Sequence, residues 1–385
     1  MLFSSPFLVI PLAHKLANMF TRLLNKLFNK TPKTASNLYY FEDSRKVSTL
    51  DDEHKCQGVE TQPKPISYRS FEDEYQQAFY DYLLGASPSQ ALTNNDELTD
   101  YITEKIQALL KQPKLILAAL PILPASLTAI IAQLDNANFD TDELINLIQQ
   151  EPVIAAKVIE LANSSYYNRQ QKAITELKSA FMLLGAKGLV EGVINGFISK
   201  MVPQSNVYFR QYGEKIWQHS LLTGINAKSI VQQSPLQGSA AQAYFIGLIS
   251  HLGDLIIYQL MLGAFAIVHP DCQPNAASFK DMMAKNSKKL TYLIAKYWQF
   301  PPAILEVLAL QAKMKKAALL PTLYKNRPLA CYLYEANIIS ELQSRQKQFP
   351  LESQTIDDVA NNLLFSEEAK LLLSQLLAST SLAKA

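Results

Sequence analysis

Apolar residues recur at spacings of three and four along most of this chain. Phe71, Tyr75, Phe79, Leu83 and Leu84 make one such stripe, and Leu98, Ile102, Ile106, Leu109 and Leu110 a second. Each predicts a helix. Asn94 or Asn95 is the candidate cap of the second, and Gln112-Pro113 closes it, because a proline pushes the residue before it out of the helical region. Asp140 and Glu143 form a variant capping box ahead of Leu144, Leu147 and Ile148, a stripe that breaks before Pro152. Val153, Ala156 and Leu161 mark the next helix, from Pro152 to about residue 162. Further helices are expected near 173–200, 207–232, 238–262, 276–298 and 301–313, then at 329–342 and 357–377. No alternating run of five or more residues occurs, so no sheet is expected and the fold class is all-α.

Two segments depart from this density. In residues 19–30, Phe20, Leu23, Leu24, Leu27 and Phe28 fall on one side of a helix, with Arg22, Lys26 and Lys30 on the other. This basic amphipathic helix reads as a weak membrane-surface or partner-docking element, or as an ordinary helix covering its own domain. Residues 31–66 are polar and irregular and read as a linker. The chain therefore divides into an N-terminal basic segment (1–30), a linker (31–66), a helical subdomain (67–112), a denser bundle (113–313) and a C-terminal helical extension (314–385) that frays after Ser379.

Composition narrows the function. Hydrophobic residues make up 48% and charged residues 18% of 385, a globular balance. Glycine, at 12, falls well below the average share of about 7%, which suits long helices. A net charge of +2 gives no reason to expect nucleic acid. Cys56, Cys272 and Cys331 are too few and too scattered for a disulfide framework or a zinc ribbon, and read as reduced thiols of a cytoplasmic protein. Residues 7–13 (FLVIPLA) are too short and too poorly flanked for a signal peptide. The uncharged stretch between Lys114 and Asp135 is interrupted by Pro121 and Pro124, and reads as a loop feeding a buried helix rather than a membrane span. Cys272 near His269 lies in a proline-containing loop with no third group to orient the pair. Lys285, Lys288 and Lys289 could hold phosphates but read first as a solvated helix face.

An ordered set of motifs then appears. Leu120-Pro121 and Leu123-Pro124 come first, followed by Glu151-Pro152, the string Leu161-Ala162-Asn163-Ser164-Ser165-Tyr166-Tyr167, and Leu183-Leu184-Gly185. Trp217-Gln218-His219-Ser220 follows, then Gly247-Leu248-Ile249 leading to Gly253, and Tyr297-Trp298 leading to Pro301 and Ile304. Several have evident local roles. Asn163 and Ser164 can end a helix by bonding free carbonyls, and Gly185 is a natural helix C-cap. Taken together, this set resembles the HDOD family, degenerate relatives of the HD-type metal-dependent phosphohydrolases. The resemblance implies a multi-helix HD-like bundle, with additional helices here at both ends, and a place in bacterial signal transduction.

It also implies where a metal would sit. In the larger superfamily a first His, an adjacent His-Asp pair and a later Asp hold divalent metal, which lowers the pKa of water and polarises a phosphoryl oxygen. By the resemblance His219 stands at the first His, Ser250-His251 replaces the pair, Asp254 follows three residues on, and Glu335 is a loose match to the distal Asp. Gln311-Ala312 occupies a later position that often carries two histidines in the family. The candidate ligand-binding residues are thus His219, Ser250, His251, Asp254 and Glu335. No metal or other cofactor is expected, divalent metal being the one group worth testing. The leading reading is a non-catalytic regulatory module acting through protein or small-ligand binding, with signalling proteins as partners in trans. The alternatives are a degenerate phosphohydrolase acting on a nucleotide or other phosphoester, and a nucleotide-binding sensor without turnover.

Overall fold

In a computed structural model of the chain, the residues described are 70–86, 97–120, 123, 127–128, 131, 141–149, 152–164, 167–168, 173–199, 207–268, 277–348 and 350–382. The amphipathic segment 19–30, the linker, the caps at Asn94, Asn95 and Asp140, Pro121, Pro124, Glu151, His269, Cys56 and Cys272 lie outside them.

Every regular element among the described residues is helical. In order these are α1 (Phe71–Leu84), α2 (Glu97–Lys111), α3 (Pro113–Ala118), α4 (Thr141–Gln149), α5 (Pro152–Ala162), α6 (Leu177–Ser199), α7 (Val207–Gln232), α8 (Ala240–Ile249), α9 (Leu252–Val268), α10 (Ala277–Tyr297), α11 (Pro302–Lys313), α12 (Leu320–Tyr324), α13 (Pro328–Gln348), α14 (Ser353–Asn362) and α15 (Glu367–Leu382). The all-α expectation holds. α1 opens on a full capping box, Ser70 accepting from the Asp73 N–H while the Asp73 carboxylate accepts from the Ser70 N–H.

Several stretches differ from the pattern read in the sequence. The stretch after Lys114, expected as a loop, opens within the short helix α3. The 238–262 stretch is two helices, α8 and α9, joined by a turn at Ser250-His251. The 173–200 stretch contains a break at Gly185, whose φ of 68° and ψ of 176° lie outside the helix region; positive φ is what glycine tolerates best. The 357–377 stretch is likewise two helices, α14 and α15. Ser366 N-caps α15, its Oγ accepting from the Ala369 N–H, and Glu367 and Glu368 favour the positive end of the helix dipole. Hydrophobic periodicity carried across that start signal.

The helices from 71 to 111, the bundle that follows and the C-terminal helices share one buried core, from Tyr75 through Tyr258 to Leu373. α13 runs through its centre against α7. Residues Ala330 to Leu342 of α13 are all buried, including Glu335, Asn337, Ser340 and Glu341. Buried polar groups on a central helix are the informative exception in a core. One helical stretch among the described residues, Gln237–Ala264, is long and apolar enough to cross a membrane, but 89% of its 18-residue apolar window is buried inside the protein. It is the core around which the bundle is built.

Two close backbone approaches set the site. A Cβ on Gly247 would lie 2.7 Å from the Gly224 Cα, so these glycines let α8 press directly on α7. A Cβ on Gly253 would lie 2.0 Å from the Ser287 carbonyl oxygen, so α9 meets α10 backbone to backbone. The Gly253 N–H donates to Thr291 Oγ1, and the Thr291 hydroxyl donates to the Ser250 carbonyl, which ties the α8–α9 turn to α10.

Candidate functional site

The α8–α9 turn carries His251 into the protein interior opposite His219 of α7. The two rings lie 4.3 Å apart between centroids, and Phe79 of α1 closes the other side of His219 at 4.5 Å. His219 is 1% exposed. Its Nε2 lies 3.0 Å from Asn337 Oδ1 on α13, and Asn337 Nδ2 donates to Glu341 Oε1 at 2.8 Å. The donation to Glu341 fixes the amide's orientation, so His219 Nε2–H is the donor to Oδ1. Its Nδ1 makes no hydrogen bond among the described residues. Burial, and then the neighbouring His251, hold the His219 pKa well below the usual histidine range.

His251 Nδ1 lies 3.0 Å from Asp254 Oδ2, one turn along the chain. Its Nε2 is 3.5 Å from Thr223 Oγ1, at the limit of a hydrogen bond. Aspartate, histidine and threonine here do not make a nucleophilic triad. The Thr223 hydroxyl is fully buried and donates to the His219 carbonyl within its own helix. Ser250 is used similarly, its hydroxyl donating to the Gly247 carbonyl at 2.7 Å. Glu341 lies deeper, and burial pushes its carboxyl up to about 7 despite Lys288, Asn337 and Arg345, which favour ionisation. Lys288 does not share a solvated face with its neighbours. Its ammonium sits 5.2 Å from the centroid of the Tyr334 ring, and burial lowers its pKa. Lys285 instead pairs with Asp281 at the surface.

A small cavity of about 20 Å³ lies beside the turn, lined by Ser250, His251, Lys288, Thr291, Gln311 and Asn337 among others. That is room for about one water. Gln311 spans the gap to α13, donating to the Ala330 carbonyl at 2.6 Å.

The structure thus gathers His219, His251 and Asp254, with Ser250 at the rim, and separates Glu335. That carboxylate accepts from the Phe365 and Ser366 N–H groups and from the Ser366 hydroxyl, and so anchors the start of α15. Asn337, two residues on, is the α13 residue that reaches His219. Two residues turn a helix by about 200°, so the pair points in opposite directions. Asn337 and Glu341 were missed because an amide and a carboxylate within an apolar run carry no metal-site spacing. Their only signal was polarity at positions that the helical period buries.

The remaining motif residues serve the scaffold. Asn163 clamps the end of α5 to the following loop, donating to the Ile159 and Ile174 carbonyls and accepting from the Ile174 N–H. The Ser164 carbonyl accepts from the Tyr167 and Asn168 N–H groups. The Tyr167 hydroxyl donates to Glu191, which also pairs with Lys228. Pro152 opens α5, Trp217 is partly buried against the core, and Leu120 is buried. Trp298 packs edge-on to Phe197, and Pro301 is the N-cap of α11.

Residues 120–314 match the HDOD domain. The chain belongs to the HDOD family. Among solved structures this HDOD chain is similar to an HDOD domain protein of unknown function from Geobacter sulfurreducens, with a TM-score of 0.50 at 16% identity, covering 72% of this chain and 96% of that one. It also aligns with a candidate phosphohydrolase from Shewanella amazonensis (TM-score 0.45, 16% identity, 70% and 93% covered). A third is a candidate signal transduction protein from Marinobacter aquaeolei (TM-score 0.41, 17% identity, 80% and 63% covered). No curated protein matches the chain.

The HD superfamily's metal can be tested against these donors. Among the described residues no group of three or more His, Cys, Asp or Glu is arranged to hold a metal ion. The reasons are visible atom by atom. His219 Nε2 is spent on Asn337, one Asp254 oxygen on His251, and both Glu335 oxygens on Ser366 and its neighbour, which leaves His219 Nδ1 and Asp254 Oδ1 as the two buried atoms there without a hydrogen bond among the described residues. Among the described residues the donor set does not fit a divalent metal.

Proposed function

We propose that this HDOD chain is a non-catalytic regulatory module of bacterial, cytoplasmic signal transduction, acting in trans on signalling partners through protein or small-ligand binding. One observation carries this reading. The polar residues at the superfamily's metal position bond chiefly to one another or to backbone, in a cluster whose adjoining cavity admits about one water. A phosphoester could not reach the imidazoles, and no hydroxyl there is free to act. The cluster instead ties α7, the α8–α9 turn and α13 into one unit. Metal analysis of untagged protein, paired with a phosphoester hydrolysis screen, tests the reading. The expected result is substoichiometric metal and no turnover. Stoichiometric divalent metal, with hydrolysis abolished in His219→Ala, would overturn it in favour of a phosphohydrolase.

A further inference from the structure

We infer that the cleft between the C-terminal end of α1, α7 and the C-terminal end of α13 binds a small oxyanion ligand through Lys215 and Arg345. The cleft has a volume of about 260 Å³, and both cations line it together with Asp81, Tyr82 and Gln348. Lys215 is half-buried; its ammonium lies 4.5 Å from the Tyr82 ring centroid and donates to the Tyr82 carbonyl at 2.8 Å. That bond caps α1 and uses one of three ammonium hydrogens. Arg345 lies over the Tyr75 ring at 5.2 Å and bonds with that residue's side chain, while its buried Nη1 has no hydrogen-bond partner among the described residues.

Neither cation forms an ion pair among the described residues. Asp81, the carboxylate at this cleft, is held at 2.5 Å by Lys280, which is 1% exposed. The nearest other acid to Arg345 along α13 is Glu341, whose raised pKa leaves it about half neutral near pH 7. The one carboxylate lining the cleft is thus engaged by Lys280, and Glu341 acts on Arg345 through its charge without forming an ion pair among the described residues. Partly desolvated cations without counter-charges are costly, and an anion relieves that cost. The charge-assisted bonds of a guanidinium fork and an ammonium suit a phosphate or a carboxylate. The volume falls just below the range of about 300–1,000 Å³ typical of drug-sized ligands, which limits the ligand to about mononucleotide size.

Arg345, Glu341 and Asn337 lie one turn apart on α13. A ligand drawing on Arg345 therefore acts at one end of a column whose other end is His219. The site gives the regulatory reading an input, but binding does not depend on that reading. A protein that proved to hold metal could still bind anions here, and the two tests fail separately.

Titration calorimetry on the full chain at low ionic strength, with inorganic pyrophosphate, AMP and citrate as probes, tests the site. The expected result is saturable binding of at least one probe, weakened about tenfold or more by Lys215→Met and by Arg345→Met. Arg345→Lys, which keeps the charge and loses the fork, is expected in between. Lys347→Met, at an exposed position on the same helix, should bind as wild type. Preference for pyrophosphate and AMP assigns a phosphate, and preference for citrate a carboxylate. If Arg345→Met does not fold, Lys215→Met and Arg345→Lys carry the test. Absence of binding by all three probes, or equal binding by those two variants and wild type, would overturn the inference.

Discussion

Glu341 offers the sharpest physical test of the buried cluster. Its carboxyl ionises near 4.5 in an unfolded chain but near 7 in the folded protein, chiefly because burial penalises the anion. Below about pH 4.5 both states carry the proton and no cost arises. As pH rises towards 7 the unfolded chain releases its proton first, so folding stability falls, and the loss is complete above the folded value. At about 1.4 kcal/mol per pH interval of separation, the full cost is about 3 kcal/mol. Glu341→Gln keeps the oxygen that accepts from Asn337 and removes the ionisation. Urea unfolding of both proteins from about pH 4.5 to 8 should show the variant gaining on wild type as pH rises, by up to about 3 kcal/mol. His219 titrates with the opposite sign, its depressed pKa giving stability that is present above the ordinary histidine value and lost as pH falls. That contribution is common to both proteins and drops out of the difference. A difference that stays flat across the range would show that Lys288 and Arg345 fully compensate the anion, and would refute the reasoning.

Gly253→Ala should destabilise by about 3 kcal/mol, because the new methyl meets a backbone carbonyl that cannot step aside; the melting temperature reads this directly. Glu335→Ala should cost about 3 kcal/mol and accelerate amide exchange at Phe365 and Ser366, whose N–H groups lose their acceptor, whereas Glu335→Gln retains one acceptor oxygen and should cost about 1 kcal/mol. Asp81→Asn weakens the hold on the buried Lys280 ammonium and should lower stability by about 1 kcal/mol or more in chemical denaturation; part of this should return in Asp81→Asn with Lys280→Met.

Periodicity alone located most helices, because a half-buried helix in water must repeat its apolar residues every three to four positions. Gly185, Asn163 and Pro301 were legible for a related reason, since each meets a local backbone need that neighbours in sequence reveal. The break at Ser250-His251 was not. It falls inside a stretch apolar on every side, where periodicity carries no information and only the packing against Thr291 shows the turn. His219, His251 and Asp254 lie together in the fold. Choosing Asn337 over Glu335 required the rotation of α13, which depends on tertiary packing. The same applies to Lys288, which looked like one lysine of a solvated trio until Tyr334 and the core showed which way it turns.

The position of α1 and α13 bears on how this protein can be cut. The signature segment 120–314 excludes both helices, yet Phe79 covers His219, the Tyr75 hydroxyl donates to the Ile338 carbonyl, and α13 is buried along thirteen consecutive residues from Ala330 to Leu342. Expressed alone, that segment would present to water the whole trough that α13 fills, an exposed apolar surface of the kind that drives aggregation. A fragment that keeps this core is therefore expected to begin no later than Ser70 and to include α13. Truncation series guided by the family boundary would report insolubility where the cause is a missing central helix.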